Sequence, residues 1–248
     1  MTENGNGEYE QLRELIDSTS PMMEKFREIA PGTYRHSQNI ASICEPIASE
    51  LGLNPDIMKA AAVLHDIGKH FNPLYFTENQ DGKNPHDELE PTCSYSILTK
   101  HVSDSVLYLL RFPEVPRQVL EIISQHHGTT ILQSIFKKAQ KLHNGHTVED
   151  HYRYKSQKPS SIEAAILMIV DTVEATTKSL FNTGQLTDTP KTVKMCIDRL
   201  VADEQLDELK IGIIRVVKEV LVKEVESIYH KRVSYEEEEP SAAEVENE

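Results

Sequence analysis

The sequence predicts an all-α protein: a helical bundle with additional helices toward its C-terminal end. The 248 residues include only 10 Gly, no Trp and 6% aromatic residues. Long stretches are rich in Leu, Ile, Ala, Glu and Lys, with apolar residues repeating every three or four positions, which favours helices over a sheet-based fold. A chain of this length can bury one substantial core. We therefore expect one helical domain with tails.

Start and stop signals divide the first part of the chain into four helices behind a disordered lead, residues 1 to 7. Ser20 followed by Pro21 is typical of an N-cap with a first-turn proline, and Asn54 followed by Pro55 repeats this signal. Gly52 ends the helix between these two starts. The predicted helices span residues 8–18, 22–29, 34–51 and 55–64.

Two polar loops and seven further helices follow. The loop at residues 71–91 is rich in proline and longer than an idle connection, so we interpret it as a functional loop beside the site, with His86 exposed in it. In the second loop, residues 143–159, we expect three solvated histidines, His143, His146 and His151. The predicted helices span residues 92–102, 106–110, 116–125, 129–142, 160–180, 189–201 and 205–230.

Charge and cysteine content restrict the function. A formal charge of −14 argues against binding a polymeric nucleic acid but is compatible with a local pocket for a small phosphate ligand. The three cysteines lie far apart, which suggests neither disulfides nor a thiolate metal site and favours a reducing compartment. The N-terminus does not resemble a signal peptide, and no apolar run reaches the roughly 18 residues of a membrane span. We expect a soluble, cytoplasmic chain.

Titratable residues follow three apolar helical runs. His65 and Asp66 follow Ala60–Leu64, His126 and His127 follow another such helix, and Asp171 follows the run ILMIV. A buried carboxylate without a partner costs several kcal/mol, so each aspartate requires a cation or strong donors nearby. A metal is one interpretation; a capping aspartate with a packed histidine is the other.

Seven residues share this setting at helix ends or on apolar helix faces. Imidazole and carboxylate ligands without thiolate suit iron, manganese, zinc or magnesium, and seven ligands exceed the needs of one ion. We predict two divalent ions bridged by Asp66, because a carboxylate can bridge where an imidazole nitrogen cannot. The other ligands are His36, His65 and Asp171 on one ion, and His101, His126 and His127 on the other. Two such ions suit phosphoryl displacement by a hydroxide held between them.

The order His, His-Asp, Asp resembles the signature of the HD phosphohydrolase superfamily, and the extra histidines resemble its binuclear branch. Further segments are similar to one subfamily, the cytoplasmic HD domain of the seven-transmembrane-receptor HD proteins, which are membrane-anchored cyclic di-AMP phosphodiesterases. The segments are APGTYRHS (30–37), HDIGK (65–69), FTENQ (76–80), NPHD (84–87), HHGTT (126–130), YRY (152–154) and DTVEA (171–175). The resemblance implies an all-helical HD-domain bundle, two iron or manganese ions, and hydrolysis of cyclic di-AMP to linear pApA.

The resemblance covers roughly residues 20–182, and together with the sequence patterns on either side it divides the chain into four parts. They are an N-terminal lead with a short helix (1–19), the HD phosphohydrolase core (20–182), a C-terminal helical cover (183–233) and a disordered acidic tail (234–248). The chain lacks the Gly-Tyr-Pro that cyclic di-GMP phosphodiesterases carry after the second metal's histidines. It also has Lys-Ser-Gln at residues 155–157, where the family usually carries Pro-Gly-Pro, and it has no upstream membrane helices. It is therefore either a piece of a membrane-tethered protein or a free-standing relative, and its oligomeric state is not indicated.

Five residues are predicted to contact the substrate. Lys69, one turn from the catalytic Asp66, is expected to meet a substrate phosphate, with a solvated surface lysine as the alternative. Arg153 and Tyr154 are expected to clamp or stack on a nucleotide, against ordinary loop packing. Thr129 and Thr130 either bind phosphate or cap the following helix. Two other functions stay open: an HD phosphohydrolase of another nucleotide, and a module that senses a cyclic dinucleotide without turnover.

Overall fold

The predicted all-α fold is confirmed by the computed structural model, which describes residues 9–238, with side chains as far as residue 229. Over this range there is no β-strand, only one isolated antiparallel bridge between Ile131 and Arg153. The α-helices are α1 (Glu10–Ile16), α2 (Pro21–Ile29), α3 (Pro31–Leu51), α4 (Pro55–Leu64), α5 (Pro91–Leu109), α6 (Arg117–Gln125), α7 (Gln133–Leu142), α8 (Ile162–Asn182), α9 (Thr189–Ala202) and α10 (Ile211–Glu238).

The predicted helix signals act as expected. The Ser20 hydroxyl accepts from the Met23 N–H at the start of α2. The Asn54 side chain accepts from the backbone N–H groups of Asp56 and Ile57 at the start of α4. Gly52 ends α3 with a φ of 64°, a left-handed conformation that glycine adopts without steric cost.

Several helix boundaries differ from the prediction, among them that of α3, which begins at Pro31, three residues earlier than predicted. The two helices predicted at residues 92–110 are one helix, because neither Gly nor Pro interrupts the segment and Lys100 pairs with Asp104 one turn later at 3.2 Å. Helices α7 and α10 begin at Gln133 and Ile211, four and six residues later than predicted. Helix α10 continues to Glu238, inside the segment predicted to be a disordered tail. The predicted lead at residues 1 to 7 and the rest of the tail lie outside the described residues.

The core is built around α3, α4 and α8. In helix α8, every residue from Ala164 to Val170 is apolar and buried. Helix α10 packs against α3, α8 and α9, and its residues Val217, Leu221 and Val225 are buried. The C-terminal helices therefore cover the core as expected, while the boundaries of the four predicted parts stay a prediction.

The loop at residues 71–91 is held against the start of α3. The side-chain Oδ1 of Asn79 accepts from the backbone N–H groups of Gly32 and Thr33, which satisfies donors at the helix N-terminus. Gly32 permits this approach, because a Cβ there would lie 1.8 Å from the Glu78 carbonyl oxygen. These contacts fix the segment that contains Glu78 and Asn79 against the start of α3.

Candidate metal centre

The seven predicted ligands come together at the ends and faces of five helices. His36 comes from α3, the His65-Asp66 pair follows α4, His101 lies on α5, the His126-His127 pair follows α6, and Asp171 lies on α8. All except His127 are buried, and His127 is partly exposed. Three sets have ligand atoms within 4.8 Å of one another: Asp66, His101, His126 and His127; His36, His65 and Asp66; and His65, His126 and Asp171.

Asp66 occupies the middle of the cluster. Its Oδ2 lies 3.2 Å from His65 Nε2 and 3.7 Å from His36 Nε2. Its Oδ1 lies 3.1 Å from His101 Nε2 and 3.8 Å from His126 Nε2. Each carboxylate oxygen thus faces a different pair of histidines, which is the arrangement that a bridging ligand requires.

Asp171 lies between both groups of histidines. Its Oδ1 is 3.0 Å from His36 Nε2 and 3.9 Å from His65 Nε2, while its Oδ2 is 3.7 Å from His127 Nδ1. The sequence assigns Asp171 to one ion together with His36 and His65. Its second oxygen also faces the other group, so the division of ligands between two ions stays a prediction.

Backbone carbonyls orient three of the imidazoles. The Nδ1 atoms of His65, His101 and His126 lie 2.5 to 2.8 Å from the carbonyl oxygen three residues earlier in the chain. An Nδ1–H that donates to a carbonyl leaves the lone pair on Nε2, the atom that faces the centre. This bond to the preceding turn, at the end of a helix for His65 and His126 and within α5 for His101, orients the three side chains to bind a cation.

His36 is oriented by a carboxylate that the sequence analysis missed. Its Nδ1 lies 2.6 Å from Glu174 Oε2, and the Asn39 amide donates to Glu174 Oε1 at 2.9 Å. Glu174 is 3% exposed. A buried carboxylate behind a ligating imidazole is a common way to orient a metal ligand. In the sequence, the feature that could have indicated a role for Glu174 is its position three residues after Asp171 on the same apolar helix.

Unpartnered buried atoms indicate that the cluster fits a cation. His65 Nε2 and Asp66 Oδ1 are buried, and neither makes a hydrogen bond of acceptable geometry. Burial, aided by the neighbouring His65, lowers the pKa of His126 to about 3, so its imidazole is neutral near pH 7. Burial opposes ionisation of Asp66, but His65 and Lys69 hold its pKa well below the usual range. Burial opposes the charge of His36, but its bonds to Asp171 and Glu174 raise its pKa to about 10, so a metal at this histidine would replace a proton. Imidazole nitrogens around an ionised carboxylate are the donor set of a divalent metal site.

Lys69 is attached to this carboxylate rather than solvated. Its Nζ lies 2.7 Å from Asp66 Oδ2 and 3.0 Å from Glu78 Oε1, and 4.9 Å from the centre of the Phe76 ring. The Thr33 hydroxyl donates to the same Glu78 oxygen. Burial opposes the charge, but the two carboxylates raise the pKa of Lys69 above its usual value. The lysine is therefore a fixed, permanent cation beside the cluster.

A cavity of about 530 Å³ opens beside the cluster and is the natural place for a substrate. Tyr154 forms part of its wall and stacks on His127, with ring centres 4.3 Å apart and an interplanar angle of 30°. Lys69, His101 and Asp171 also line it. Two of the five residues predicted to contact substrate, Lys69 and Tyr154, line this cavity, and their contact with a substrate stays a prediction.

Arg153 does not line this cavity, in contrast to the prediction. Its guanidinium donates to Glu149 Oε1 and Asp203 Oδ1, at 2.6 and 2.8 Å, and to the Thr129 carbonyl oxygen at 2.9 Å. These acceptors tie the second polar loop to the segment that precedes α10. The position of Arg153 therefore supports the alternative interpretation, in which this residue packs the loop and does not clamp a nucleotide.

Thr129 and Thr130 do not line the cavity either. The Thr129 N–H donates to Gln205 Oε1 at 3.0 Å, and Gln205 Nε2 donates to the Thr129 hydroxyl at 2.9 Å. The Thr130 hydroxyl donates to the His127 carbonyl oxygen at 2.7 Å. Neither caps α7, whose N-cap is Leu132. Both threonines stabilise the turn that follows the histidine pair.

His86 is buried, whereas the sequence predicted an exposed position. Its Nε2 lies 2.9 Å from the Tyr75 carbonyl oxygen, and Lys138 donates to the carbonyl oxygens of residues 86, 87 and 89. The loop folds back on itself and against α7, which removes His86 from solvent. The three histidines expected to be solvated, His143, His146 and His151, are exposed.

Within residues 9–238, none of the helices has both the length and the apolar character needed to cross a membrane.

Comparison with known proteins gives consistent matches. The family model described as HD domain matches residues 33–176. The cyclic-di-AMP phosphodiesterases PgpH of Listeria monocytogenes serotype 1/2a (strain 10403S) and Bacillus subtilis (strain 168) are 35% and 32% identical over 232 residues. Each alignment covers 91% of this chain but 31% and 32% of those proteins, so the chain spans about a third of their length. A crystal structure of the L. monocytogenes PgpH HD domain in complex with cyclic-di-AMP superposes with a TM-score of 0.77 and 34% identity, covering 85% of this chain and 98% of that one.

Proposed function

The chain belongs to the HD-domain family, and from this premise we propose that it hydrolyses cyclic di-AMP to the linear dinucleotide pApA. The observation that carries the proposal is the cluster of five histidines and two aspartates beside a cavity of about 530 Å³. The PgpH relatives are cyclic-di-AMP phosphodiesterases, and the similar solved structure holds cyclic-di-AMP, which supports the choice of nucleotide.

We propose that the cluster holds two divalent ions, iron or manganese, bridged by Asp66. The two oxygens of Asp66 face different histidine pairs, which supports this number of ions. When bound, such a pair of ions activates water and neutralises charge on a phosphodiester. The cytoplasmic location expected from the sequence stays a prediction.

The chain's own residues position the substrate. Lys69 presents a protonated ammonium at the cavity wall, where it can donate to an oxygen of the phosphate being cleaved. Glu78 holds this ammonium in place from the other side. Tyr154 and Phe76 supply apolar walls, which exclude water and offer faces for a nucleobase.

Product analysis tests the proposal. Protein reconstituted with manganese or with iron under anaerobic conditions is incubated with cyclic di-AMP, and the nucleotides are separated by ion-pair chromatography. We expect pApA to form with the metal and not after chelation. A parallel panel contains cyclic di-GMP, nucleoside triphosphates and an alarmone. Absence of pApA together with hydrolysis of another nucleotide would overturn the substrate assignment, and binding of cyclic di-AMP without any turnover would indicate a sensing module.

A further inference from the structure

The cavity beside the cluster continues along one face of α8, beyond the residues that the proposed reaction uses. Asp171, Glu174, Lys178 and Asn182 line it at intervals of three or four residues. Lys178 lies seven residues after Asp171, which corresponds to about 10 Å along the helix axis. The cavity is therefore longer than a single phosphate group at the cluster requires.

Two lysines line this cavity, and they differ in their partners. Lys69 is held between two carboxylates at 2.7 and 3.0 Å. Lys178 is half-buried, and its ammonium makes no ion pair or hydrogen bond with another described residue. Glu174, one turn away, has its two oxygens bonded to His36 and Asn39. Burial opposes the charge of Glu174, but the bond to His36 and, to a smaller extent, the charge of Lys178 lower its pKa, so Lys178 acts on Glu174 without contacting it directly. Lys178 is thus the lysine of this cavity whose ammonium has no direct partner among the described residues and can reach a ligand.

A cyclic dinucleotide carries two phosphodiesters, and only one of them can lie at the cluster during cleavage. The other keeps its negative charge inside a partly enclosed cavity, where an unpaired charge is costly. We propose that Lys178 binds this second phosphate, so that the substrate extends along α8 from the cluster toward Asn182. This inference rests on the proposed function. It makes Lys178 the residue by which the protein distinguishes a cyclic dinucleotide from a substrate that has one phosphate.

The test compares two substrates. Cyclic di-AMP has two phosphodiesters and bis(p-nitrophenyl) phosphate has one, so only the first can use Lys178. The variants are Lys178→Met, which keeps the aliphatic stem and removes the charge, and Lys178→Arg, which keeps the charge. Lys223→Met is the matched control, since Lys223 is exposed on α10 and does not line the cavity. All are assayed as the full chain loaded with metal.

We expect Lys178→Met to raise KM for cyclic di-AMP by about ten- to a hundredfold, the effect of losing one charge-assisted hydrogen bond. The ratio of kcat/KM for cyclic di-AMP to that for bis(p-nitrophenyl) phosphate should fall by the same factor. Lys178→Arg should restore most of this ratio, and Lys223→Met should leave it within about twofold. Metal content and the thermal unfolding midpoint of Lys178→Met should match those of the wild type.

Two results would overturn the assignment while leaving the proposed function intact. One is an unchanged KM for cyclic di-AMP in Lys178→Met, which would mean that the lysine only complements the C-terminal end of the helix dipole. The other is an equal loss on both substrates, which would indicate a structural role. If Lys178→Met does not fold, Lys178→Gln serves for the same comparison. A wild-type protein that cleaves bis(p-nitrophenyl) phosphate but not cyclic di-AMP would refute the proposed function, and the assignment of Lys178 with it.

Discussion

Glu174→Gln is the substitution whose effect follows most directly from the geometry of the cluster. It keeps the size of the side chain and removes the negative charge behind His36. Two contacts are affected, the one at 2.6 Å to His36 Nδ1 and the one at 2.9 Å from Asn39. Because His36 lies in the set formed with His65 and Asp66, only one of the two proposed ions should lose affinity.

The magnitude can be worked from the bond to His36. A buried hydrogen bond to a charged group contributes about 1.5–3 kcal/mol, and one between neutral groups about 0.5–1.5 kcal/mol. Glu174 is 3% exposed, so solvent does not replace the lost charge. The difference of about 1–1.5 kcal/mol corresponds to roughly a tenfold weaker affinity, the lower end of the range for residues behind metal ligands.

The assay is a competition titration with a chelator of known manganese affinity, with bound metal quantified by atomic emission. We expect one equivalent to dissociate at about tenfold lower chelator concentration and the other to remain as in the wild type. Glu163→Gln is the matched control, because Glu163 lies in the first turn of the same helix and, among the described residues, its side chain accepts a hydrogen bond from Gln118 alone, at 3.3 Å. Wild-type affinity at both sites, or equal weakening of both, would refute the reasoning.

Three other predictions follow from the same structure. Asp66→Ala should lose both metal equivalents, because its two oxygens face both histidine groups, and elemental analysis that finds one full equivalent would contradict bridging. Gly68→Ala should lower the free energy of unfolding in urea by about 1–3 kcal/mol, because the added Cβ would lie 2.3 Å from the His101 carbonyl oxygen, whereas Gly212→Ala meets nothing within 4 Å and should not destabilise. In protein stripped of metal, the lowered pKa of His126, about 3, means that the unfolded state binds an extra proton below pH 6.5. As the pH is lowered from 6.5 toward 3, the free energy of unfolding should therefore decrease by up to about 1.4 kcal/mol per pH unit. An equally steep decrease in His126→Asn would show that His126 is not its cause.

Residues whose setting is local could be recognised from the sequence. The His65-Asp66 and His126-His127 pairs follow apolar helical runs, and Asp171 interrupts another, so a metal-binding interpretation needed no tertiary information. Helix starts at Ser20 and Asn54 were predictable for the same reason, because an N-cap acts on the next two or three residues. The family pattern then joined these separate positions into one cluster.

Residues whose partners are distant in sequence could not be assigned in this way. Glu174 and His36 are separated by 138 positions, so nothing near either residue indicates that they meet. Arg153 has the charge that a nucleotide clamp needs, but Asp203, 50 positions later, receives its guanidinium. His86 has the polar neighbours of an exposed loop, yet the loop folds over it.

By itself, the sequence determined the all-α class, the main helices, the seven candidate ligands and the loop beside the site. These depend on helical periodicity, capping and the cost of placing a carboxylate after an apolar run, which act over a few residues. Only the tertiary structure decided that Asp66 faces two groups of histidines, that Glu174 orients His36, and that Lys178 lines the cavity without a direct ion pair to another described residue. These facts depend on the packing of α3, α5 and α8 around one point, because packing decides which charges find partners and which remain for a ligand.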